Sequence, residues 1–264
     1  MQPVNLFFSL MIISNFFLSA QTTRDIMLCY GEFNPMDVKG YDYVIIEPNF
    51  FDEKDISMLR ADNKLVLAYI SLGEVNENSP FFKELMHHTL GENKIWKSRI
   101  LDLESIETFE KLDSLITHYR TMGFDGIFMD NIDNYTIWGP IPDKQNSLLN
   151  FLKHLRKKDP EIHLMQNGGI QLIEKTSSLI NSLAVESVAT DYDLNNREYH
   201  MRNKEGFTER LSMLLDIKKH YNLSILLIEY ADSGEMKDQI LKRYKKLDWP
   251  IFIGNIELNS FPNF

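Results

Sequence analysis

Eight short apolar runs, rich in β-branched residues, recur along this chain, and stretches of helical period lie between most of them. The runs are residues 26–30, 43–47, 65–70, 126–130, 162–166, 183–187, 225–229 and 251–254. Each is apolar almost throughout rather than alternating, which is the pattern of parallel strands covered on both faces. The intervening stretches predict helices over 56–62, 105–122, 143–158, 171–181, 208–221 and 235–247. Ser105 has the side chain of an N-cap, Gly123 that of a left-handed C-terminal stop, and Asp159-Pro160 blocks continuation of the third helix. Eight such units in 264 residues predict an α/β fold, a single (β/α)8 TIM barrel, with an open doubly wound sheet as the rival topology. Residues 99–103 read as an extra strand in the long third connection. No Pro/Gly-rich linker divides the chain, so residues 21–264 are expected to form one domain.

The first twenty residues stand apart. Residues 6–18 are mostly apolar, and Leu18-Ser19-Ala20 ends in small side chains before Gln21. This predicts a secretory signal peptide over 1–20, too short for a membrane span, and a secreted or periplasmic product with no stable membrane insertion after cleavage. The segment lacks Lys and Arg, so its positive end rests on the amino terminus alone. With a net charge of −10, the chain has no basic excess to displace counterions, which argues against a nucleic-acid partner. The single cysteine, Cys29, lies inside an apolar run, where it reads as a small buried hydrophobe. A monomer without cofactor is expected.

A parallel barrel carries its chemistry at the carboxyl ends of its strands. The second run ends in Glu47. The third leads into Tyr69, Ser71 and Glu74, the fourth into Asp130, Asn131 and Asp133, and the fifth into Gln166 and Asn167. The sixth ends in Glu186, the seventh in Glu229 and Tyr230, and Asn255 and Glu257 follow the eighth. Acids and amides at strand end after strand end are not a packing pattern, because a charge near a core is costly unless paired or used. They predict a polar pocket at one mouth. A pair of carboxylates there suits glycoside hydrolysis, one protonating the leaving oxygen and the other attacking carbon or activating water. Tyr69, Tyr135 and Tyr192 are candidates to stack on a sugar ring. Position alone does not choose among the acids.

The segment GFDGIFMDNIDNY, residues 123–135, is the most specific motif. It resembles the signature of the endo-α-1,4-polygalactosaminidase family, glycoside hydrolase family 114. YDYVIIEPNFF (41–51), LVLAYISLGEVNE (65–77), QNGG (166–169), AVES (184–187) and IEYADS (228–233) follow the family's motifs in order over nearly all of the chain past residue 20. The resemblance implies a (β/α)8 barrel that hydrolyses an α-1,4-linked galactosamine-containing polysaccharide, with Asp130 and Glu186 as the catalytic pair. On that reading Asp130, among amide and hydroxyl donors, stays ionised as nucleophile or base, and Glu186 is the general acid. Two departures stand out: the family often has Asp where this chain has Glu47 and Glu229, which alters subsite contacts. Substrate-binding roles are expected for Glu47, Tyr69, Glu74, Asn131, Asp133, Tyr135, Asn167, Tyr192, Glu229 and Tyr230, and the acids among them suit the ammonium groups of a partly deacetylated polymer.

Two other readings share this mouth. One is a metal-dependent hydrolase on Asp130, Asp133 and Glu186, whose oxygen ligands would take Ca²⁺ or Mg²⁺ rather than zinc. The other is a carbohydrate-binding barrel without turnover, since a fold does not fix a function. Loop residues 75–96 and 137–143 are expected to shape the cleft, with Trp96 and Trp138 as candidate sugar platforms.

Overall fold

The computed structural model describes residues 24–264; the segment read as a signal peptide lies outside them. Eight parallel strands, numbered here as barrel strands only, form one sheet: β1 (Arg24–Cys29), β2 (Tyr41–Ile46), β3 (Leu65–Ser71), β4 (Gly126–Asp130), β5 (His163–Asn167), β6 (Ser182–Glu186), β7 (Ser224–Tyr230) and β8 (Ile251–Gly254). Each hydrogen-bonds to the next in that order, and β8 returns beside β1. This is the (β/α)8 barrel that the eight runs predict.

Two apolar clusters divide the strands by residue parity. Ile26, Leu28, Ile45, Leu67, Phe128, Met165, Ala184, Leu226, Ile228 and Phe252 fill the lumen. The alternate positions, among them Val44, Val66, Ile127, Leu164, Leu183 and Leu227, pack outward against the helices. Every strand is thus buried on both faces, which accounts for its continuous apolar sequence. A fully buried lumen side chain such as Phe128 is worth about 3–5 kcal/mol against truncation to Ala.

The covering helices are α1 (Glu53–Asp62), α2 (Ile106–Met122), α3 (Gln145–Lys158), α4 (Lys204–His220) and α5 (Gly234–Tyr244). Ser105 caps α2 by accepting from the Thr108 amide, and Gly123, at φ 107°, ends it. The helix expected over 171–181 is cut to a 3₁₀ turn, Ile170–Leu172, and one short helix, Ile173–Thr176. Thr176, Ser177 and Ser178 disfavour its continuation, and the Thr176 hydroxyl bonds back to the Leu172 carbonyl. Asp125, at the base of β4, accepts from the Val66 amide and pairs with Arg60, a structural role.

Two additions rise beyond the barrel. A three-stranded antiparallel sheet follows β3, built from Glu74–Asn76, Thr89–Asn93 and Ser98–Leu101; its last strand is the one expected near residues 99–103. After β6, Thr190–Asp193 pairs with Glu198–Met201 as a hairpin that the sequence did not announce. Among the described residues no helix is long and apolar enough to cross a membrane.

Candidate active site

Lumen parity carried to the strand ends puts Tyr30, Tyr69, Asp130, Asn167, Glu186 and Tyr230 around one mouth. Asp130 and Glu186 are joined there by a single amide: Asn167 Nδ2 donates to Asp130 Oδ1 at 2.9 Å and to Glu186 Oε1 at 2.6 Å. The outer oxygens each take a phenol. Tyr69 OH donates to Asp130 Oδ2 at 2.9 Å, and Tyr230 OH to Glu186 Oε2 at 2.5 Å. Tyr30, whose ring lies 4.5 Å from that of Tyr69, completes the floor. Tyr30 was not singled out from sequence, although its signal was there: it stands last in the first run.

Burial raises the Glu186 carboxyl above the usual range, and the charge of Asp130 raises it further, while the Tyr230 and Asn167 donors act the other way. Burial and the neighbouring carboxylates push the Tyr30, Tyr69 and Tyr230 phenols well up, so all three stay protonated.

The backbone turns sharply behind these side chains. Asn131 and Ser187, each directly after a central acid, take φ of 59° and 55°. Gly168, directly after Asn167, has φ +66°, and a Cβ there would lie 2.0 Å from Asp133 Oδ2. Left-handed residues are costly unless the surroundings enforce them. The outward-facing Gln166 fixes the glycine turn after Asn167, its Nε2 donating to the carbonyls of Gly168 and Gly169.

The other expected site residues divide. Asn131 and Asp133 stand on the walls of the same cavity, of about 790 Å³. Asn131 accepts from Ser71 Oγ at 2.6 Å. Asp133 accepts from the Gly169 amide at 2.9 Å, and burial raises its carboxyl. Glu74 also belongs to the wall but is buried, with Ser98, Asn93 and Asn134 donating to it. It braces the three-stranded sheet. Glu47 has inward parity, but its Oε1 accepts from Asn49 and it is not part of the cavity wall.

Three of the expected residues lie elsewhere. Tyr135 is fully buried, its hydroxyl given to the Leu72 carbonyl at 2.8 Å, because the 3₁₀ turn Ile132–Tyr135 curls it away from the mouth. Tyr192 lies on the hairpin, edge-on to Tyr199 at 4.8 Å, and off the cavity wall. Glu229 has outward parity and no exposure. It accepts from the amides of Val188, Ala189 and Thr190 and from the hydroxyls of Thr190 and Tyr244, which anchors the segment after β6.

The walls are acidic. Glu209 and Glu257 join Asp130, Asp133 and Glu186, and Arg210 is the one basic side chain on them among the described residues. Among the described residues no three His, Cys, Asp or Glu side chains are grouped to hold a metal ion.

Comparison with known proteins agrees with the resemblance drawn from the motifs. The sequence model of glycoside-hydrolase family GH114 matches residues 15–261. An uncharacterized protein of Thermotoga maritima is 22% identical over 290 residues, covering 90% of this chain and 84% of its own. One from Methanocaldococcus jannaschii is 23% identical over 215 residues, covering 73% of this chain; the match spans 60% of that relative's length. Among solved structures, the glycoside hydrolase domain of PelA from Pseudomonas aeruginosa superposes with a TM-score of 0.79 at 20% identity, over 90% of this chain and 97% of that one. Ega3 of Aspergillus fumigatus, solved as a complex with galactosamine, gives 0.69 at 15% identity, over 90% and 92%.

Proposed function

The chain belongs to glycoside-hydrolase family GH114, and on that premise we propose that it is a secreted hydrolase of an α-1,4-linked, galactosamine-containing polysaccharide, with Glu186 as general acid and Asp130 as nucleophile. The observation that carries the reading is the Asn167 bridge. Both bonds leave one nitrogen, at 2.9 and 2.6 Å, so the two carboxylate oxygens stand no farther apart than those lengths laid end to end. That upper limit of about 5.5 Å between the bridged oxygens is compatible with the roughly 5–5.5 Å separation of retaining glycosidases and falls short of the roughly 6.5–9.5 Å that an inverting enzyme needs for its water.

The roles follow from surroundings. A carboxyl raised by burial and by a neighbouring negative charge holds its proton to higher pH than an ordinary one, which suits Glu186 as the donor to the glycosidic oxygen. Asp130 accepts from both Tyr69 and Asn167, which fixes the position of both its oxygens and suits it as the attacking group. In the first step an Asp130 oxygen bonds to the anomeric carbon as the bond to the leaving oxygen breaks, and the Glu186 proton goes to that oxygen. In the second, Glu186, now ionised, takes a proton from water, whose oxygen replaces Asp130 on the carbon.

The amino sugar is supported by the acidic walls, since ammonium groups are attracted to a cleft carrying Asp133, Glu209 and Glu257. It is supported too by the galactosamine bound to Ega3. The test is reducing-end release from galactosamine-containing polymers of graded acetylation over a salt series. Asp130→Asn and Glu186→Gln are each expected to lose about 10³-fold or more in kcat, and added salt to weaken action on the deacetylated polymer. Activity surviving both substitutions overturns the pair. A first-formed product of inverted configuration overturns the retaining assignment.

A further inference from the structure

Trp96 has no part in the chemistry above, yet it lines the same cavity as Asp130 and Glu186 with 51% of its surface exposed. An indole left half in water at the edge of a polar cleft gives up burial it could have had. Its backbone, by contrast, is held firmly. Asn76 Nδ2 donates to the Trp96 carbonyl at 2.7 Å. Asn93 Oδ1 accepts from the amides of Ile95 and Trp96. Lys97, next in the turn, takes a φ of 50°.

That turn is tied to the catalytic strand. Asn93 and Ser98, on either side of it, both donate to the buried carboxylate of Glu74. Asn134, just past β4, donates to the same carboxylate, and the Glu74 amide donates to Ser71 Oγ, which in turn donates to Asn131. One hydrogen-bonded wall therefore runs from Trp96 to the residue after Asp130. A rigid turn holding out an aromatic face is pre-organised for binding. At about 790 Å³ the cavity is near the upper end of the roughly 300–1,000 Å³ range of ligand pockets, room for an oligosaccharide rather than a single ring.

We infer that the three-stranded sheet after β3 is a substrate-binding wall and that Trp96 is the platform of a remote subsite, stacking on a pyranose ring of the polymer other than the one Asp130 attacks. This rests on the hydrolase reading above and deepens it: the enzyme senses polymer length. Trp138 is the natural control. It is more exposed, at 80%, but is not part of the cavity wall.

The experiment measures kcat and KM on α-1,4-galactosamine oligomers from disaccharide to octasaccharide for the wild type, Trp96→Ala, Trp96→Phe and Trp138→Ala. Trp96→Ala is expected to raise KM for the longest oligomers about three- to tenfold, with kcat held, and to leave the shortest unchanged. Trp96→Phe recovers most of the loss, and Trp138→Ala follows the wild type at every length. Binding of the octasaccharide to Glu186→Gln, with and without Trp96→Ala, by calorimetry gives the same contrast without turnover. If Trp96→Ala matches the wild type at all lengths, or weakens all lengths equally, the subsite is wrong while the hydrolase reading stands. If the wild type cleaves no oligomer, the hydrolase reading fails and takes the subsite with it.

Discussion

Glu186 and Glu229 lie at the ends of neighbouring strands, and burial raises both carboxyls, yet they do opposite work. Glu186 sits level with Ile228 in the ladder between β6 and β7, so Glu229 is one residue beyond that level and points through the other side of the wall. Each accepts from a tyrosine, Glu186 from Tyr230 and Glu229 from Tyr244. The difference lies in the remaining donors. Glu186 shares one amide with Asp130 and faces the cavity. Glu229 is closed in by three consecutive backbone amides and a second hydroxyl. A buried carboxylate saturated with donors is structural, while one left partly open beside a second acid is available for chemistry.

Conversion of each to its amide should separate the two roles. Glu186→Gln removes the proton donor, so activity falls by about 10³-fold or more while the fold keeps its stability. Glu229→Gln turns an –NH₂ group toward backbone N–H donors, leaving buried donors unpaired, and should cost about 3 kcal/mol or more of stability. Per folded molecule, its kcat stays within about tenfold of the wild type. Thermal denaturation and active-site-normalised kcat on the same preparations check both. A Glu229→Gln protein as stable as the wild type but inactive would place Glu229 in the chemistry.

A second contrast concerns the turns after the two acids. Ser187 holds its left-handed φ of 55° with a carbonyl accepting from Arg202 at 3.2 Å and an amide donating to the Ile228 carbonyl at 2.9 Å. Glycine adopts that φ without strain, so Ser187→Gly should change stability by less than about 1 kcal/mol in either direction. The same substitution at Asn131, whose side chain accepts from Ser71, should cost more, on the order of 1 kcal/mol. Chemical denaturation of the two variants checks the order, and equal losses would mean that the Ser71 bond contributes nothing.

The barrel was legible because eight apolar runs need eight covered strands. What the sequence hid was which side of each strand faces the lumen. Residues 225–228 read Ile-Leu-Leu-Ile, apolar on both faces, so no alternation shows that Tyr230 points inward and Glu229 outward. In β4 and β6 the acid is the last residue of the strand, and the family motif selected it before parity was known. Tyr135 was lost to a 3₁₀ turn that residue types do not fix. The hairpin after β6 escaped because its strands are half polar and its turn, Leu194 to Arg197, lacks the Asn-Gly or Asp-Gly pair that marks a tight reversal.

A third contrast lies in the two tyrosines, and it tests whether the wall between the two glutamates insulates them. The Tyr230 hydroxyl stabilises the charged form of Glu186 against the upward pull of burial and Asp130. Tyr230→Phe removes that donor, so Glu186 holds its proton to higher pH. The general acid works only while protonated, and the alkaline limb of the kcat profile should therefore move up, with kcat at the optimum falling less than about tenfold. Tyr244→Phe strips the matching donor from Glu229, whose proton takes no part in the reaction, so the limb should stay in place while stability drops by about 1–2 kcal/mol. A limb that moves down in Tyr230→Phe would mean that Glu186 acts in its charged form. One that moves equally in both variants would mean that the wall does not separate the two sites.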